Sequence, residues 1–60
     1  MSKKDVANRV TDYTFAAVSD LASYANDLEE IGYIKQAEKL RRISGELENV
    51  SHAIFDRANK

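Results

Sequence analysis

Few side chains in this chain belong to types that do chemistry, so their spacing is quickly weighed. His52 is the sole histidine, cysteine is absent, and the only hydroxyls close to His52 in sequence are Ser44 and Ser51. A general base needs an oriented acid or a nucleophile within reach, and a zinc ion needs three or four nitrogen or sulfur donors. Neither serine stands at a triad spacing, and no acid obviously faces His52. His52 is therefore expected to be a solvated surface residue, and Ser44 and Ser51 small fillers beside a core. No catalytic residue, metal-ligand set, phosphate-binding loop or cofactor site is expected.

The charged residues are more orderly. Asp5, Asp12, Asp20 and Asp27 follow one another at steps of seven, eight and seven, with Glu30 beyond them. On a helix such steps are close to two turns, so the carboxylates form a ladder whose rungs are about 10–12 Å apart. A nucleic-acid strand carries a charge about every 3.4 Å, so the ladder does not imitate one. It is suited to steering and docking a basic protein surface. Lys35, Lys39 and Arg42 form a second group. They stand at the heights where a folded-back chain would set them against Asp27 and Asp20, and internal pairing is expected to use Asp27 with Lys35 or Lys39 and Asp20 with Arg42.

These groups must be carried by something, and composition limits what that is. Sixty residues make one domain at most, and a core within 1–60 yields only about 3–5 kcal/mol unless a staple or a partner is added. Without cysteine, oligomerisation is the remaining device. Nine basic and ten acidic residues leave a net charge of −1, which excludes bulk attraction to nucleic acid or to membranes. No apolar run approaches the roughly 20 residues of a membrane span. Asp5, Arg9 and Asp12 interrupt the place an export signal would need, so a cytoplasmic location is expected.

The pattern predicts an all-α antiparallel helical hairpin. Ser2 with Asp5 reads as an N-cap, and helix 1 is expected over about 3–31. Gly32 supplies the turn, because a helix-terminating residue takes positive φ and glycine does so without steric penalty. Helix 2 is expected over about 33–58. Ala7, Val10, Thr14, Ala17, Leu21, Tyr24, Leu28 and Ile31 recur every three or four residues and read as the seam of helix 1. Gln36, Leu40, Ile43, Leu47, Val50 and Ile54 are its counterpart on helix 2, with residue numbers adding to about 64 at one level.

Phe15, Val18, Ala22 and Ala25 form a second apolar strip beside the first, and Ala37, Ser44, Ser51 and Phe55 flank the seam of helix 2. More apolar face than one partner helix can cover implies a dimer closing into a four-helix bundle. Phe15, Val18, Leu21, Ala22 and Ala25 are the expected dimer interface. Gly45 inside helix 2 leaves two courses open, a continuous helix or a kink at Ser44-Gly45.

Met-Ser-Lys-Lys-Asp at the start, unbroken heptads, a mid-chain turn, and Glu46-Leu47 followed by Ala53 and Phe55 give a layout that resembles the Rop family. These are small plasmid RNA-binding proteins whose hairpin pairs with itself into an antiparallel four-helix bundle. The resemblance implies that architecture. At the family's RNA-facing positions, which carry lysine, asparagine, phenylalanine, glutamine and lysine, this chain has Asp5, Asp12, Ala16, Asp20 and Asp27. Acids there repel phosphate, so the RNA function is not carried over. Ser44-Gly45-Glu46-Leu47-Glu48 is also similar to the Ser-Gln-Glu-Leu-Asp motif of small sporulation phosphatases acting on response regulators. The glutamine and aspartate of that motif are both replaced here. The expected function is a non-enzymatic regulatory or adaptor protein, working by protein–protein contact as a homodimer. A Rop-like RNA-binding regulator, or a phosphatase-like hairpin, is the alternative.

Overall fold

The computed structural model describes residues 2–59, and all regular structure among them is helical. Helix α1 spans Lys3–Glu30 and helix α2 spans Ile34–Ala58. They pack against each other as a hairpin 45 Å long and 15 by 10 Å across.

Each end of α1 is specified locally. The Asp5 N–H donates to Ser2 Oγ at 3.1 Å, and the Asp5 carboxylate lies in the positively polarised first turn. At the other end Gly32 has φ of +89°, its N–H donates to the Glu29 carbonyl, and the Tyr33 N–H donates to the Leu28 carbonyl. That pair of reversed bonds is a Schellman closure, which satisfies carbonyls the helix would leave open. The closure uses Ile31 as cap and Tyr33 as the next N-cap, so each helix is one residue shorter at the turn than the sequence spacing suggests. Gly45 lies within unbroken α2, which settles the choice left open at Ser44-Gly45 in favour of one helix.

The interhelical seam corrects the sequence reading. Fully or nearly buried are Thr11, Ala25, Ala37, Ser44 and Ser51, all small, and no large side chain is among them. Thr11, Val18 and Ala25 are seven apart on α1, as are Ala37, Ser44, Ser51 and Ala58 on α2. The helices meet along these two stripes because small side chains let backbones approach closely. Hydroxyls then bond across the gap. Ser44 Oγ donates to the Val18 carbonyl at 3.0 Å, and Ser51 Oγ lies 2.6 Å from Thr14 Oγ1 and 2.8 Å from the Leu47 carbonyl.

Thr11 Oγ1 donates to the Ala7 carbonyl at 2.8 Å, and no buried side-chain polar atom lacks a partner among the described residues. Ser44 and Ser51 are thus not flanking fillers but members of the contact line itself. The level at which the helices meet agrees with expectation, since bonded pairs across the seam have numbers adding to 62–67.

Candidate interaction surface

Successive helical residues turn about 100°, which fixes what lies on either side of the small-residue stripe. On one side of the α1 stripe come Thr14, Leu21 and Leu28, then Val10, Ala17, Tyr24 and Ile31. On the same side of α2 come Leu40, Leu47 and Ile54, then Gln36, Ile43, Val50 and Arg57. On the other side lie Asn8, Phe15, Ala22 and Glu29 of α1, facing Arg41, Glu48 and Phe55 of α2. Antiparallel helices bring like sides together, so the hairpin has two unlike faces.

The second of these is the polar one and is closed by direct contacts. Arg41 pairs with Glu29 at 2.7 Å and donates to Asn26 Oδ1 at 2.9 Å. His52 meets the Phe15 ring edge-on, with centroids 5.0 Å apart, and its Nε2 is 3.8 Å from Glu48 Oε1. Asn59 donates to Asn8 Oδ1 at 3.2 Å. His52 therefore has an acid one helical turn away, contrary to the sequence expectation, yet both groups are largely exposed and enclose no site. The predicted pairs of Asp27 with Lys35 or Lys39, and of Asp20 with Arg42, do not form. With the seam rotated toward the small residues, Asp20, Asp27 and Lys39 stand on outer rims and cannot reach across, while Arg41, one residue from Arg42, faces α1 instead.

The first face is open and apolar. The residues read from sequence as the seam lie here, half-buried at Leu21, Leu28, Leu40, Leu47 and Ile54. Toward the edges Tyr24 is 57% exposed, Ile31 64%, Ile43 52% and Val50 52%. Isolated exposed apolar residues are ordinary; here they follow one another along both helices. Total accessible area is 4701 Å², against about 3,950 Å² for a compact monomer of this mass. The excess follows from the elongated shape of the hairpin, 45 by 15 by 10 Å.

Of the residues expected at a dimer interface, Leu21 lies on this open face. Ala25 is fully buried in the hairpin's own seam, and Val18 belongs to that seam through its carbonyl. Phe15 and Ala22 lie on the polar face. The sequence signal for this division was the step of seven among small residues on both helices. The carboxylates Asp5, Asp12, Asp20, Asp27 and Glu30 are exposed, and none enters an ion pair among the described residues.

At the end away from the turn, Ala7, Ile54 and Ala58 floor a cavity of about 370 Å³ rimmed by Lys3, Lys4 and Arg57. Among the described residues no cluster of histidine, cysteine and acid could hold a metal ion, and no helix is long and apolar enough to cross a membrane. No family model, curated protein or solved structure matches the chain.

Proposed function

We propose that this chain is a non-enzymatic regulatory or adaptor protein that acts by protein–protein association, as a homodimer in which two hairpins close into a four-helix bundle. The observation that carries the reading is the open apolar face, where Tyr24, Ile31, Ile43 and Val50 stay more than half exposed and Leu21, Leu28 and Leu47 are only half-buried by the hairpin itself. Covering that face supplies the large-residue core that the hairpin lacks. The exposed carboxylates of α1 stay outside such a bundle and offer a docking edge for a basic protein surface.

Sedimentation equilibrium with circular dichroism tests the reading. A dimer is expected at micromolar concentration, with thermal stability rising as protein concentration rises. Ile43→Asp and Val50→Asp are expected to abolish it by placing a charge in the buried core. A helical monomer persisting at micromolar concentration, or association indifferent to both substitutions, overturns the proposal. Structured RNA is expected not to bind, and tight binding whose log K falls steeply with log salt would favour the RNA-binding alternative.

A further inference from the structure

We propose that the cavity at the open end binds a medium-chain carboxylate, its head held by Lys3, Lys4 and Arg57 and its chain laid over Ala7, Ile54 and Ala58. One hairpin builds this cavity by itself, so the proposal does not depend on the association reading. Lys4 and Ala58 continue the two seam stripes to the end of the molecule, while Ala7 and Ile54 belong to the inner lines of the open apolar face. The cavity is therefore the mouth of that face, and three cations close it.

No described carboxylate neutralises these cations. None of the three enters an ion pair among the described residues, and neither Asp5 nor Asp56, the acids next to them in sequence, lines the cavity. Successive residues turn about 100°, which sends Asp5 to the polar side of α1 and Asp56 to the outer side of α2. The helix poles at this end, about +0.5 from α1 and about −0.5 from α2, offset each other and leave the three side-chain charges to be answered. Arg57 is at home in the last turn of α2, but Lys3 and Lys4 lie in the first turn of α1, where that helix's own dipole disfavours a cation. Cations set against the local rule, around one cavity and without an acid, point to an anion as the occupant.

The floor decides what kind of anion. Ala7, Ile54 and Ala58 offer only methyl and methylene groups from their side chains, so inorganic phosphate is held from the rim alone. No aromatic side chain lines the cavity, so a nucleic-acid base has nothing to stack on. An anion with an apolar tail satisfies rim and floor together. A volume of about 370 Å³, at roughly 30 Å³ for a group the size of water, has room for about a dozen such groups. That is a straight-chain carboxylate of about eight to ten carbons.

Decanoate, titrated below its micellar concentration into isotope-labelled protein and followed by amide chemical shifts, provides the test. Shifts are expected at Lys4, Ala7, Ile54 and Ala58, saturating with a Kd on the order of 1 mM or tighter. Octanoate is expected to bind about tenfold more weakly for its two missing methylenes. Decanol, with the same chain and no charge, is expected to lose about tenfold for its missing pairing with the three cations. Lys4→Gln with Arg57→Gln is expected to bring decanoate down to the level of decanol and to leave decanol binding unchanged. Both side chains are exposed and unpaired among the described residues, so helical circular dichroism is expected to stay the same.

Ala7→Leu is a second variant that fills the floor without touching a charge, and it is expected to remove the decanoate shifts. Equal affinity for decanoate and decanol, or indifference to the double substitution, overturns the site, because the head is then not recognised. Shifts centred on Tyr24 and Ile43 overturn it as well, by showing a chain adsorbed to the open face at large. Inorganic phosphate displacing decanoate at equal concentration overturns it by showing a site for simple anions. Sedimentation of the same samples reads association separately, so either proposal can fail while the other stands.

Discussion

Placing leucine at Ala25 isolates the small-residue seam from every other feature of the fold. Ala25 has no exposed surface, and it lies in the stripe with Thr11 and Val18 that faces Ala37, Ser44 and Ser51. Three added heavy atoms have no cavity to enter at the seam, so the helices must separate and stretch the Ser44–Val18 bond. Overpacking of this kind costs about 1–3 kcal/mol. The whole stability available to so short a chain is only about 3–5 kcal/mol, so the midpoint of thermal unfolding is expected to fall by roughly 4–8 °C for each kcal/mol lost. Circular dichroism melts at one fixed protein concentration measure it, with Ala22→Leu as control, since Ala22 is exposed and lies off the stripe. Equal melts for Ala25→Leu and Ala22→Leu would refute the seam described above.

Gly45→Ala is expected to raise stability by about 0.5–1 kcal/mol, because the added methyl meets nothing within 4 Å and helical propensity alone decides the sign; urea melts check it. Gly32→Ala is expected to lower stability by about 1–2 kcal/mol despite equally open surroundings, because φ of +89° strains any residue with a Cβ, and the same melts distinguish the two glycines. Arg41→Ala removes an exposed pair with Glu29 and is expected to cost no more than about 1 kcal/mol, an effect that shrinks in high salt.

What could be read from the amino acids, and what could not, follows from how the two apolar strips overlap. Gly32 was legible because the demand for positive φ at a helix end is local chemistry, and so was the Ser2 cap. The hairpin and its register followed from heptad spacing. The rotation of the seam did not, because hydrophobic periodicity weights Leu, Ile, Tyr and Val, whereas close backbone approach selects Ala, Ser and Thr one position round the helix. That rotation displaced the ion pairs as well, exchanging the predicted partners of Asp27 and Asp20 for the observed Glu29–Arg41 pair. It also put Ala25 inside the hairpin's own seam and left Tyr24, Ile31, Ile43 and Val50, read as internal, more than half exposed.

A seam built of alanine, serine and threonine gives the separate hairpin an unusual response to temperature. The heat-capacity change of unfolding tracks newly wetted apolar area, offset by polar area, and averages about 12–15 cal/mol/K per residue. Here only five described residues are buried and three of them, Thr11, Ser44 and Ser51, carry hydroxyls. A lone hairpin therefore unfolds with a heat-capacity change below that average and has a shallow stability curve, nearly as resistant at low temperature as at moderate warmth. A partner laid on the open face would add apolar burial and with it curvature: the covered molecule would have a defined temperature of greatest stability and loosen on cooling as well as on heating.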